Sequence, residues 1–190
     1  MKLLICSDIH GDADCMRAVL KKYGEEKADR LLILGDLLYH GPRNDLPSRY
    51  APKEVISLLN ENRDKILAVR GNCDTEVDQM VLDFPILAHY IVLSIDGLTV
   101  FATHGHKFNM QLPPPLLDGD ILLHGHTHVL AAVPFGKNNL YLNPGSVTLP
   151  KEGNPRSYMI YENRTFTVKD FDGNVKFSKT LNQTYKARQF

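Results

Sequence analysis

The sequence predicts an α/β fold in which two packed, mixed β-sheets are flanked by helices. Three observations carry this expectation. Through the first 70 residues, apolar runs of strand length alternate with segments of helical period, the pattern of parallel strands joined by crossover helices. Two hairpin signals follow in the second half, where antiparallel pairing is expected. A chain of 190 residues is long enough to bury a sizeable core without disulfides.

Leu3-Leu4-Ile5-Cys6 is an apolar run suited to a buried strand. Asp12 suits the cap of a helix whose inner face is Met16, Val19, Leu20 and Tyr23, with Gly24 as its stop. Leu31 to Leu34 repeats the buried-strand pattern. Residues 37 to 51 read as a loop, broken by Gly41-Pro42 and Pro47. Pro52 fits a first helical position, and Val55, Ile56, Leu58 and Leu59 supply an apolar helix face. Ile66 to Val69 is a third strand. Further on, Tyr90 to Ile95 and Leu98 to Thr103 flank Asp96-Gly97, the strongest hairpin signal in the chain. Residues 120–123, 129–134 and 140–142 read as short strands, and 157–161 and 165–171 flank a second turn at Glu162-Asn163-Arg164. One sheet is thus expected to be largely parallel and the other more antiparallel. Residues 1–190 are expected to form one domain, with a polar tail fraying from about residue 182.

Bulk composition excludes several classes. Formal net charge is zero, from 22 basic and 22 acidic residues, and no basic aromatic stripe is present; both argue against a nucleic-acid partner. A small nucleotide stays open, because a local site needs no global charge. The three cysteines are odd in number and lack zinc-knuckle spacing, which points to a reducing compartment. The apolar run before Asp8 is short for a signal peptide, and no stretch approaches the ~20 residues of a membrane span. A cytoplasmic protein without membrane partners is expected.

Five segments each follow a predicted strand: Asp8-Ile9-His10, Gly35-Asp36, Gly71-Asn72-Cys73-Asp74, His104-Gly105-His106 and Gly125-His126-Thr127-His128. Carboxyl ends of strands are where sheet proteins of this class place their sites. Each segment alone has an ordinary explanation. Asp8-Ile9-His10 fits a helix-capping loop, although alternation in an extended chain would also bring both side chains to one side. Gly35-Asp36 and Gly71-Asn72 are common turn pairs. A lone histidine is usually a surface or satisfied core residue, while the pair His126 and His128 is a natural ligand set. Together they are harder to dismiss. Four histidines, two aspartates and an asparagine, in segments that each close a strand beside a glycine, are costly to bury unless paired or metal-bound.

In order and spacing these segments resemble the calcineurin-like metallophosphoesterases, from Asp8 to about Ser146. Gly41-Pro42-Arg43-Asn44, Val69-Arg70-Gly71-Asn72-Cys73-Asp74 and Asn143-Pro144-Gly145-Ser146-Val147 are similar to the bacterial YfcE-type phosphodiesterases. The resemblance implies a metallo-dependent phosphatase-like αββα sandwich. It implies two divalent metal ions, one held by Asp8, His10 and His128, the other by Asn72, His104 and His126, with Asp36 bridging. Mixed oxygen and nitrogen donors admit Zn, Fe, Co or Ni, and the resemblance favours manganese. It also implies catalytic positions at Asp36, Asn72, Cys73, Asp74 and His104. Cys73 stands where many family members carry a histidine that helps the leaving group depart.

The expected activity is hydrolysis of phosphodiester bonds in a small substrate, by direct attack of a hydroxide bridging the two metals and without a phosphoenzyme. A thiol at position 73 is a poor proton donor, so diesters with good leaving groups are expected to be favoured. Two alternatives stand beside this. One is a metal-binding interaction scaffold, as in a retromer subunit of similar fold; retention of all seven donors argues against it. The other is a phosphomonoesterase, which Cys73 argues against. Arg43 and His106 are candidate substrate contacts, the first as a phosphate clamp or a solvated loop residue, the second as a contact or a support for a ligand. Arg70 is expected to be a structural ion-pair partner. Asn143-Pro144-Gly145-Ser146 fits a type II turn beside the site, and Pro113-Pro114-Pro115 a stiff loop. Apolar residues in the loops 38–51 and 106–118 leave room for a homo-oligomer.

Overall fold

The computed structural model describes residues 1–181. The expected tail from residue 182 lies outside them. The elements run β1 (Leu3–Cys6), α1 (Ala13–Glu25), β2 (Arg30–Ile33), α2 (Pro52–Glu61), β3 (Ile66–Ala68), α3 (Glu76–Gln79), β4 (Tyr90–Ile95), β5 (Leu98–Thr103), β6 (Ile121–Leu123), β7 (Leu130–Phe135), β8 (Asn139–Pro144), β9 (Ser157–Glu162), β10 (Thr165–Asp170) and β11 (Val175–Thr180).

They form two mixed sheets, ordered β11-β10-β9-β1-β2-β3 and β4-β5-β6-β8-β7. The first contains a parallel triplet, β1, β2 and β3, and the second another, β5, β6 and β8. Antiparallel strands extend both: β9 pairs with β1, and β4 and β7 close the second sheet. The parallel and antiparallel halves of the sequence are therefore not segregated into separate sheets. β1 is central, which explains its unbroken apolar run, since both of its faces are buried.

Side-chain alternation along β1 builds both layers of core. Leu3 and Ile5 face the second sheet, meeting Val100, Ala102, Ile121, Leu123, Leu140 and Leu142. Leu4 and Cys6 face the helices, meeting Met16 and Val19 of α1 and Val55 and Leu59 of α2. Each fully buried aliphatic side chain contributes roughly 1.5–3 kcal/mol of transfer free energy. The helices flank the first sheet only. The outer face of the second sheet, at Phe101, Leu122 and Tyr141, is instead covered by Phe108, Met110 and Leu116 of the Pro-rich 104–120 loop.

One local expectation needs correction, and two elements were not anticipated. Gly24 does not end α1; the helix continues to Glu25, and Lys27 takes the left-handed turn at φ 52°. The one-turn helix α3 has no apolar period to betray it and is held by a capping box between Thr75 and Asp78. β11 is mostly exposed at the sheet edge, so its sequence lacks an apolar signature. The Asp12 cap is as expected, accepting the Cys15 amide at 2.9 Å. Asp96 and Gly97 both have positive φ, as the predicted hairpin requires. Among the described residues, no helix is long and apolar enough to cross a membrane.

Candidate metal centre

Parallel strands end on the same side. The carboxyl ends of β1, β2 and β3 and of β5, β6 and β8 therefore bring six loops to one edge of the sandwich. The loop after β1 is laced to the loop after β2: the amides of Asp8, His10 and Gly11 donate to the carbonyls of Gly35, Asp36 and Leu37 at 3.2, 2.9 and 2.9 Å. Asp8 and His10 are not in extended backbone, as alternation had suggested. Both adopt left-handed φ, at 61° and 51°, as do Asp36, His126 and His128 at 57°, 66° and 61°. Such conformations cost about 1–3 kcal/mol each and persist where surrounding structure over-determines them. Glycines permit the close approach. A Cβ on Gly71 would stand 2.1 Å from Asp36 Oδ1.

The seven predicted donors converge. Asp8 Oδ1 lies 3.3 Å from His128 Nε2 and 3.8 Å from His10 Nε2. Asp36 Oδ2 lies 3.7 Å from His10 Nε2 and 3.4 Å from His104 Nε2, between the two groups. His104 Nε2 lies 3.1 Å from Asn72 Oδ1 and 3.2 Å from His126 Nδ1. Asp8, Asp36, His10, His104 and His128 are all essentially buried.

The chemistry of this donor set fits cations. His10, His104 and His128 each direct Nδ1 at a backbone carbonyl, of Tyr39 at 2.8 Å, Leu34 at 2.6 Å and Leu149 at 2.6 Å. A carbonyl only accepts, so Nδ1 carries the hydrogen and Nε2 presents its lone pair inward. The lone pairs of His10 and His128 then face each other at 3.4 Å. Asp8 Oδ1 is buried without a hydrogen-bond partner. Acceptors packed against acceptors call for positive charge. A proton partly answers: burial opposes charge on His104, but the Asp36 and Asp8 carboxylates outweigh it and raise its pKa to about 9. Burial likewise works against the Asp8 carboxylate, yet His128, His104 and His10 hold it well below the usual range. Divalent metals held by these residues would satisfy the same field in place of that proton.

The calcineurin-like phosphoesterase superfamily domain matches residues 1–165. The chain belongs to this superfamily. It is 47% identical over 168 residues to "Phosphodiesterase YfcE" of Escherichia coli strain K12, covering 88% of this chain and 91% of that protein. The solved structure of YfcE, a phosphoesterase from E. coli, superposes with a TM-score of 0.92 at 44% identity, covering 96% of this chain and all of the other. "Probable metallophosphoesterase YsnB" of Bacillus subtilis strain 168 is 26% identical, covering 90% of this chain and 91% of that protein.

An open cleft of about 530 Å³ leads to this phosphoesterase centre and is lined by Asp36, Asn72, Cys73, His126 and His128 among others. Cys73 is buried, with Sγ within 4.8 Å of the nearest His10 and Asp36 donor atoms. Burial and the Asp36 carboxylate push its thiol up, so it stays neutral. Arg43 lines the cleft. His106 does not; it stands against the His104 and His126 rings, at centroid distances of 5.4 and 6.3 Å. Burial and those two neighbours lower its pKa to about 4, so it faces them neutral. Asp74 is buried with its carboxylate occupied by the amides of Asp36, Leu37 and Gly71, at 2.9, 2.8 and 2.7 Å. That places it as a brace between two loops, at odds with a catalytic contact. Arg70 is the structural partner expected, bonding the Asp74 carbonyl and Glu76.

Sequence reasoning missed the second layer of support. Ser146 Oγ donates to the Asp8 carbonyl at 3.0 Å, and Thr148 Oγ1 to that of Ile9 at 2.8 Å. Asn143 Nδ2 donates to the Gly125 carbonyl at 2.9 Å and to Thr127 Oγ1 at 3.0 Å. Gly145 has φ 77°, consistent with the type II turn. Lys151 lines the cleft, although nothing in the sequence marked it.

Proposed function

We propose that this metal-dependent phosphoesterase hydrolyses small phosphodiesters with two divalent cations, manganese being favoured. Asp8, His10 and His128 would hold one cation, Asn72, His104 and His126 the other, with Asp36 between them. The observation that carries this reading is the position of Asp36 Oδ2, which faces both donor groups while Oδ1 is fixed by the Cys73 amide at 2.8 Å. The chemistry such a pair supplies is activation of water and neutralisation of charge building on phosphoryl oxygens.

The chain's own residues do the rest. The three carbonyl-anchored histidines keep their Nε2 lone pairs aimed inward without reorganisation. Asn72 donates a neutral oxygen, which limits negative charge beside an anionic substrate. Cys73 lines the cleft as an uncharged thiol, so leaving groups that need no proton are favoured. The identity with phosphodiesterase YfcE over most of both chains supports a diester substrate. Three free, buried thiols suit a reducing cytoplasmic setting.

The test strips the protein with a chelator, titrates manganese back, and assays a chromogenic diester beside the matching monoester. Binding of two equivalents with metal-dependent diester turnover is expected. Tight metal binding with turnover of neither ester would instead establish a scaffold.

A further inference from the structure

Two cations line the cleft without partners. Arg43 lies in the loop between β2 and α2, and Lys151 in the loop between β8 and β9. Neither side chain has a carboxylate or hydrogen-bond partner among the described residues. By contrast, Arg49 reaches Glu54, Arg70 reaches Glu76, and Lys169 reaches Glu26.

Hydrogen bonds fix the turns that carry both residues, while their side chains are exposed. The Asn44 amide donates to Gly41 O at 3.3 Å and Asn44 Nδ2 to His40 O at 2.8 Å, closing a tight turn with Arg43 at its third position. The Lys151 amide donates to His128 O at 3.1 Å, and Lys151 O accepts the Asn154 amide at 3.0 Å and its Nδ2 at 2.8 Å. Two residues earlier, Leu149 O takes the Nδ1 hydrogen of His128. The segment that orients His128 therefore also presents Lys151.

A diester carries one negative charge at the reacting phosphorus, and the donor cluster around Asp36 is the place for it. Arg43 and Lys151 supply positive charge beyond that need, in a cleft that concentrates their field. We propose that Arg43 and Lys151 form an oxyanion subsite for the non-reacting arm of the substrate, selecting phosphodiesters whose second substituent carries a phosphate or carboxylate. Arg43 offers a planar fork for two oxygens, and Lys151 a mobile point charge. This rests on the phosphodiesterase reading and deepens it.

Three 4-nitrophenyl phosphodiesters with a common leaving group test the subsite, their second arms being aminoethyl, ethyl or phosphoethyl. Wild type is expected to favour phosphoethyl over aminoethyl by about tenfold or more in kcat/KM, mostly through KM, a difference that ionic strength diminishes. Lys151→Glu and Arg43→Glu are each expected to reverse the order. Equal treatment of the three arms by wild type, or an order unchanged in both variants, overturns the subsite alone. No turnover of any arm by manganese-loaded protein overturns the phosphodiesterase reading and the subsite with it.

Discussion

Asp74 Oδ2 accepts the backbone amide of Asp36 at 2.9 Å, and the same oxygen accepts the Gly71 amide at 2.7 Å. One carboxylate thereby locks the loop after β2 to the loop after β3. Asp74→Ala leaves those two amides and that of Leu37 without their acceptor in a buried setting. A loss of about 3 kcal/mol is expected, or roughly 6–12 °C in Tm. The variant should also bind manganese more weakly, because Asp36 loses its fixed backbone. Thermal melting and metal titration check this; unchanged values in both would deny Asp74 its bracing role.

Gly71 makes the same point by steric exclusion. Its absent Cβ would stand 2.1 Å from Asp36 Oδ1 and 2.3 Å from the Asp36 amide. Gly71→Ala must push the Asp36 carboxylate out of place. Loss of manganese affinity by about 10–100-fold is expected, in the range seen when ligand supports are removed. Calorimetric titration of chelator-stripped protein measures it, and wild-type affinity would show that the loop yields freely.

Cys73 is proposed to influence which leaving groups depart. Its thiol is buried, neutral and pushed up by burial and Asp36. Cys73→His places a titratable donor at the cleft wall. Turnover of alkyl diesters is expected to rise by about tenfold or more, with a smaller change for 4-nitrophenyl esters. A series of leaving groups of graded pKa reads this directly. Parallel slopes for wild type and variant would remove Cys73 from leaving-group selection.

Away from the site, Glu26 ties the end of α1 to the sheet. Its Oε1 accepts Tyr158 OH at 3.0 Å and Lys169 Nζ at 2.7 Å, and Lys2 lies 3.5 Å from Oε2. Burial alone would raise its pKa, but Lys169, Tyr158 and Lys2 outweigh it and hold the carboxyl below the ordinary 4.5. The unfolded chain takes up this proton more readily than the folded one. The contribution is therefore present above pH 4.5 and lost as pH falls through the depressed folded value. Glu26→Gln is expected to lower Tm at pH 7 by roughly 2–4 °C, about 1 kcal/mol, and by much less near pH 3. An equal deficit at both pH values would show that the loss is not electrostatic.

The sequence by itself determined what local preference controls. Leu3–Cys6 is apolar at every position because both faces of a central strand are buried, and Asp96-Gly97 makes a hairpin because that pair tolerates positive φ. The seven candidate donors were legible because they fall in short polar segments that close apolar runs, and their grouping as ligands came from the family resemblance of those segments. Tertiary structure decided what depends on distant partners. β9 lies beside β1, and Ser146 supports Asp8 from 138 residues away. Left-handed backbone aims Asp8 and His10, where alternation had suggested an extended chain. Asp74 is a brace because three amides reach it, and Lys151 is a candidate contact only because its turn is pinned to His128. Periodicity and turn chemistry act over a few residues, whereas an aimed lone pair or an unpaired cation is a property of the loops that meet around it.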